Sequence, residues 1–244
     1  MKKIFFGLLF VIACNLLAVA DLTKEQLWAI RLTGIMTEIN KDNHNTLNSS
    51  KMNLRNKNSY LKMLKRDWGI HNKDELLRAL DETENNGHAS SLKLIQQIIN
   101  EGVILVTTGN EDNIIVNTNL NKYELSYRQY NYLQFTISNW DNFKNRSILA
   151  WDLGRNVALC RWGYDVGFFS ENEAWEKIMY YARLIQPLYN SWEEYGYDYY
   201  MGRVFWASGF GQSDRYYADT FLIYGKLIKR NGYWYNLEWN INLN

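Results

Sequence analysis

Proline is almost missing from this chain: Pro187 is the single one in 244 residues. Glycine is sparse too and rarely clustered. A sandwich of many short strands needs turn residues every few positions, so that architecture is disfavoured. Cysteine is nearly absent, with only Cys14 and Cys160. His44, His71 and His88 are the three histidines, widely spaced and without an H-x-x-x-H pair, so no metal is expected. Charge of one sign is also missing. The formal net charge is +1, with acids and bases mixed along the chain. A nucleic-acid partner therefore has no electrostatic support.

What is present begins at the N-terminus. Lys2 and Lys3 precede an apolar run from Ile4 to Leu17, and Ala18-Val19-Ala20 supplies an A-x-A cleavage pattern before the polar Asp21. These features predict a signal peptide over residues 1–20, cut after Ala20, and a secreted or periplasmic protein. An alternative is a lipoprotein acylated at Cys14, since Val11-Ile12-Ala13-Cys14 loosely matches a lipobox. Membrane contact is expected only through that leader or anchor. Without the leader the chain keeps Cys160 alone, so an internal disulfide is excluded, and Cys160 reads as a buried structural thiol. Stability then rests on a core rich in tryptophan and tyrosine.

Helical periods and caps fill residues 21–244, which read as one mostly α-helical domain, a multi-helix bundle around a central helix at about 147–162. Thr23 with Gln26 opens a helix to about Ile39. Asn40 to Asn58 reads as a mobile surface loop. Helices are expected from Tyr60 to Trp68, from Asn72 to Gly87, from Ser90 to Glu101 and from Lys122 to Ser138. Residues 103–116 suit a small β-hairpin, with a distorted helix pair as the alternative. Further helices follow from Ser147 to Gly163, from Ser170 to Gln186 with Glu173 completing a capping box, from Ser191 to Trp206 capped by Ser191 with Glu194, and from Tyr216 to Arg230. Trp234 and Trp239 are expected to fold back onto the bundle.

The order of several uncommon residues resembles the bacterial "domain of unknown function 1266" family. The resemblance is carried by Asp67-Trp68-Gly69-Ile70, Glu75-Leu76-Leu77 and Gly87-His88. It continues through Ala150-Trp151-Asp152-Leu153-Gly154-Arg155, Arg161, Gly163, Gly167 and the Glu171 to Trp175 helix start. Ser191-Trp192-Glu193-Glu194, Gly202-Arg203-Val204-Phe205-Trp206, Trp234 and Trp239 complete it. It implies a mostly helical domain and carries no activity with it. Two departures stand out: the leader, where many relatives look cytoplasmic, and Ala89, where the family commonly has a basic residue.

The central helix is the main source of chemical expectation. On a helical wheel, Ile148, Trp151, Asp152, Arg155, Leu159 and Trp162 share one face. Leu149, Leu153, Val157 and Cys160 oppose them, and Ala150, Gly154, Ala158 and Arg161 form a mostly small sector that lets another helix approach. Asp152 and Arg155 are neighbours at i, i+3. The Ser191 to Trp206 helix has a comparable stripe of Trp192, Tyr195, Tyr199, Arg203 and Trp206. If the two helices pack, one aspartate meets two arginines.

That cluster of Asp152, Arg155 and Arg203 has two readings. One is a buried ionic lock between helices. The other is an aromatic-walled pocket in which Arg155 and Arg203 hold a carboxylate or phosphate and Asp152 orients them. Catalytic signatures are scarce. No G-x-S-x-G elbow occurs, Cys160 has no evident histidine partner, and Gly209-Phe210-Gly211 reads as a helix-ending turn. The leading expectation is a non-catalytic binding protein of the cell envelope, without a cofactor, whose partner is a protein or a small anionic ligand. The alternatives are an envelope hydrolase using carboxylates such as Asp152 and Glu171, and an immunity-type protein that neutralises a toxin. The Tyr195, Tyr197, Tyr199, Tyr200 run is expected to leave some rings open to a sugar or protein.

Overall fold

A computed structural model of the chain describes residues 22–50, 54–109 and 113–243. The expected leader and Cys14 lie outside these residues, as does the tip of the turn at 110–112. Among the described residues no helix is long and apolar enough to cross a membrane.

The architecture is mostly α-helical with one small sheet. Helices α1 (Lys24–Arg31) and α2 (Gly34–Asn40) open the order, followed by α3 (Leu54–Trp68), α4 (Lys73–Asn86) and α5 (His88–Asn100). Strands β1 (Val103–Thr108), β2 (Asn113–Thr118) and β3 (Lys122–Ser126) form an antiparallel sheet in sequence order. Then come α6 (Tyr127–Ser138), α7 (Trp140–Phe143), α8 (Leu149–Val166), α9 (Glu171–Ile185), α10 (Trp192–Ser208) and α11 (Ser213–Ile228). Pro187 sits in the 3-10 turn Gln186–Leu188 that follows α9, where its missing N–H does no harm.

The expected capping boxes Thr23/Gln26 and Ser170/Glu173 are both formed, and each satisfies two helix-end donors. At α10 the cap is only half of that pattern. Ser191 accepts the Glu194 N–H, but the Glu194 carboxylate accepts from Asn190 instead.

Several boundaries differ from expectation, each for a local reason. The first helix breaks at Leu32 and Thr33, whose N–H groups bond three residues back. The break leaves the Leu32 carbonyl to accept the Tyr195 hydroxyl at 2.5 Å. Lys122 to Ser126 is strand rather than helix, because Tyr123 and Leu125 alternate inward and Ser126 with Gln129 caps α6 one residue later. The central helix runs past Gly163 to Val166. Gly163 is a packing position, where a Cβ would lie 2.5 Å from Leu76, and Gly167 (φ 84°) is the left-handed stop. The stretch at 43–50 is no loose surface loop: His44, Leu47 and Ser49 are buried.

Helix α8 is buried on every side from Ala150 to Gly163. It packs on α4, α9 and α10, as an all-round apolar helix must. The small sector does bring α10 close. A Cβ on Gly154 would lie 2.5 Å from the Tyr195 hydroxyl, and one on Gly202 would lie 2.3 Å from the Trp151 Cβ. Asp198 reaches across from α10 to cap the start of α8. Its Oδ2 accepts the Ala150 N–H at 3.3 Å and the Tyr189 hydroxyl at 2.6 Å, and Arg146 stands 3.4 Å from Oδ1.

The C-terminal tail folds back as expected. Trp234 stacks on Trp192 at 5.4 Å, and Trp239 lies 4.8 Å from Trp192 and 4.9 Å from Trp28. The Trp234 indole N–H donates to the Arg31 carbonyl and that of Trp239 to the Tyr189 carbonyl, so the buried polar tips are satisfied. Tyr195, Tyr199 and Tyr200 are fully buried, with Tyr217 and Phe221 of α11 packed on Tyr200. Only Tyr197 of the run is left half-buried, so most of the open tyrosine surface expected from the sequence is filled by the protein itself.

Candidate functional site

Asp152 lies in the first turn of α8 and is 1% exposed. It is tolerated because each oxygen has a partner. Oδ2 accepts the Ala89 N–H at 2.7 Å, at the N-terminal end of α5, where the helix dipole favours a negative charge. Oδ1 accepts from Arg155 Nη2 at 2.5 Å. Gly87 makes this approach possible, since a Cβ there would lie 2.4 Å from Asp152 Oδ2. Burial alone would raise the Asp152 carboxyl. The Arg155 guanidinium and the Ala89 N–H outweigh it and hold the group below its ordinary value. Asp152 is thus an ionised anchor and a poor proton donor.

Arg155 uses its other donors sparingly. Nε donates to the Trp151 carbonyl at 3.2 Å, and Nη2 also lies 3.0 Å from His88 Nδ1. Guanidinium can only donate, so His88 Nδ1 accepts and the ring proton sits on Nε2. His88 Nδ1 is farther from Asp152, at 3.4 Å, and burial beside Arg155 keeps the ring neutral by pushing its pKa down. The Arg155 guanidinium lies over Trp151 at 4.5 Å and Trp68 at 5.3 Å.

These groups border a two-lobed cleft. The larger lobe is about 580 Å³ and the smaller about 460 Å³. Asp67, Trp68, His88, Arg128 and Arg155 line both, so they form the waist. The larger lobe adds Arg203, Trp151, Trp206 and Tyr216 on one side and Met36, Ile39, Met63 and Trp162 on another. Its lining holds three arginines and one acid. That acid, Asp67, is already engaged by Arg66 through two contacts at 2.6 and 2.7 Å.

Among the described residues neither Arg128 nor Arg203 is ion-paired, although Asp219 acts on Arg203 from a distance. Arg128 donates to the Tyr132 hydroxyl at 3.0 Å and lies 4.3 Å over Phe210. Arg203 lies 4.9 Å over Tyr216 and makes no hydrogen bond or ion pair among the described residues. Burial pushes the Arg203 guanidinium below its ordinary value, so an anion beside it would relieve a desolvated charge.

The expected trio of Asp152, Arg155 and Arg203 is therefore divided. Asp152 and Arg155 form the buried pair, while Arg203 joins Arg155 only across the cleft. Among the family-motif positions, Trp68, His88, Trp151 and Trp206 line the cleft. Gly69, Arg161, Trp175 and Trp192 do not. Gly69 ends α3 at φ 66°, Trp175 is half-buried against the core, and Trp192 belongs to the tryptophan cluster. Arg161 is 1% exposed and donates to the hydroxyls of Thr33 and Thr37 and the carbonyls of Asn43, Thr46 and Leu47. Together with Arg31, which donates to the His44 carbonyl, and Asp165, which accepts from Asn48 and the Ser49 N–H, it holds residues 43–49 inward.

Glu171 is exposed in the first turn of α9, and neither it nor Asp152 lines the cleft. Cys160 is buried, and desolvation raises its thiol. Gly209 and Gly211 (φ 68°) end α10 as a turn, as expected. Among the described residues no group of three or more His, Cys, Asp or Glu could hold a metal ion.

Sequence reasoning missed Arg128, and it placed His88 only as a family-motif position, without a chemical role. A signal for Arg128 was present. It is a cation in the first turn of α6, with no acid beside it, at the end where the dipole disfavours positive charge.

The chain belongs to the family described as "Protein of unknown function (DUF1266)", whose model matches residues 63–239. The matched span holds all three cleft arginines. The chain is 27% identical over 151 residues to "Uncharacterized protein YbeU" of Escherichia coli (strain K12), covering 59% of this chain and 57% of that protein. It is 28% identical over 146 residues to "Uncharacterized protein YbeR" of the same organism, with the same coverage of 59% and 57%. The chain thus spans little more than half the length of the curated relatives it matches. No solved structure matches it.

Proposed function

We propose that this member of a family of unknown function is a non-catalytic binding protein whose cleft takes an anionic ligand. The carrying observation is the unbalanced charge. Arg128 and Arg203 line a cleft of about 580 Å³ without an ion pair among the described residues, beside Arg155, whose charge is already matched by Asp152. Planar guanidinium groups suit carboxylate or phosphate oxygens. Neutral His88 adds an N–H at Nε2, a donor that costs no charge repulsion. The aromatic and methionine walls resemble those of ordinary small-molecule sites. With the leader read at residues 1–20, the setting is the cell envelope.

Thermal unfolding in graded inorganic phosphate tests this. Ligand at ten times its Kd should stabilise the native state by about 1.4 kcal/mol. Phosphate also stabilises proteins generally by exclusion from their surfaces, so Arg203→Ala serves as the reference. The expected result is a saturable rise in Tm for the native sequence that Arg203→Ala lacks. Identical phosphate responses in the two proteins would refute anion binding here.

A further inference from the structure

The cleft is much larger than a small inorganic anion requires, and its linings are segregated by chemistry. Helix α8 supplies both ends. Arg155 and Trp162 are seven residues apart, two turns, so they lie on one face about 10 Å apart along the axis. Both line the larger lobe. Around Arg155 gather His88, Arg128 and Arg203, with Trp206 and Tyr216 beside Arg203. Trp162 stacks with Tyr60 of α3 and reaches Asp42 just after α2, and the residues of those two helices that line the lobe near their contacts are Met36, Ile39, Asn40 and Met63. Trp162 itself is buried, while the two methionines and Ile39 are half-exposed. Methionine side chains are flexible and polarisable, and they adapt to apolar ligands of varied shape.

Resting on the anion-binding reading above, we propose that the ligand is a single-chain amphiphile: an anionic head held by Arg128, Arg155 and Arg203, joined to an apolar body of about 10 Å. The body lies along α8 toward Trp162, between Met36, Ile39 and Met63. The His88 Nε2–H donates to the head group. A free single-chain molecule fits this lobe, whose volume is that of a small-molecule site rather than of a membrane-docking surface.

Isothermal titration with inorganic phosphate and with ethyl, butyl, hexyl and octyl phosphate, each as monomers, tests the proposal on the chain from Asp21 onward. Affinity should rise about three- to fourfold per added methylene until the lobe is filled. Met63→Gln should flatten that rise. Octanol should bind far more weakly than octyl phosphate. If all the phosphates bind equally and Arg203→Ala abolishes them, the apolar-body assignment is overturned and anion binding stands. If none binds, or if octanol matches octyl phosphate and Arg203→Ala changes nothing, anion binding itself falls. Sedimentation with anionic phospholipid vesicles that octyl phosphate cannot compete away would overturn the assignment to a free ligand.

Discussion

Three buried or half-buried arginines in this protein should respond very differently to truncation. Arg203→Ala removes one contact over Tyr216, worth about 0.5–1 kcal/mol, and part of an aliphatic stem. It breaks no hydrogen bond and no ion pair among the described residues, and it removes a desolvated charge. The net change should lie within about 1 kcal/mol of zero. Arg155→Ala strands Asp152, a carboxylate 1% exposed that keeps only the Ala89 N–H, and should cost about 3–5 kcal/mol. Arg161→Ala orphans the carbonyls of Asn43, Thr46 and Leu47, and at about 1 kcal/mol or more for each it should cost about 3 kcal/mol or more. Urea denaturation followed by tryptophan fluorescence measures all three. With about 2–4 °C of Tm per kcal/mol at this size, Arg155→Ala and Arg161→Ala should melt roughly 10 °C below the native sequence, and Arg203→Ala within a few degrees of it. A loss for Arg203→Ala as large as that for Arg155→Ala would show Arg203 to be part of the structural lock. The reasoning that assigns it to a ligand would then fail.

Two further expectations concern packing and pH. Gly202→Ala places a Cβ 2.3 Å from that of Trp151 and should cost about 1–3 kcal/mol, whereas Gly225→Ala in α11 meets nothing within 4 Å and should gain up to about 1 kcal/mol. Equal effects by chemical denaturation would contradict the close approach of α8 and α10. Burial pushes the His44 ring down to about 4 from an ordinary 6.5, against the opposing pull of Glu38. The unfolded chain therefore binds this proton more readily. Stability should be full above pH 6.5 and decline as pH falls from 6.5 toward 4, by at most about 3 kcal/mol from this group. His88, also shifted downward, acts in the same direction. Denaturation midpoints of His44→Asn across that range should show a shallower decline, and an unchanged slope would remove His44 as the cause.

The family, the helical class, the caps and the central helix were legible in local pattern. Thr23 with Gln26 and Ser170 with Glu173 are short-range chemistry, complete within four residues. The apolar circumference of residues 148–162 needs only the helical period to announce a buried helix. The pairing of Asp152 with Arg155 is also local, one turn apart on one helix. For the same reason the sequence could not assign Arg161. Its partners lie on residues 33–47, more than a hundred positions away, in a segment whose polar composition reads as loose loop. The inward turn of that segment is held by Arg161, Arg31 and Asp165, whose buried charges take its polar groups as partners.

Arg203 shows the same division from the other side. Its stripe on α10 places it facing α8, which is legible. Whether it meets Asp152 or a cleft depends on how far Gly202 and Gly154 let the two helices approach and on where His88 enters from α5. Sequence alone determined which helices form and which ionic residues they bury. Only tertiary packing decided which of those charges are neutralised within the protein and which are left facing open space, because neutralisation depends on distances of a few ångströms between segments far apart in the chain.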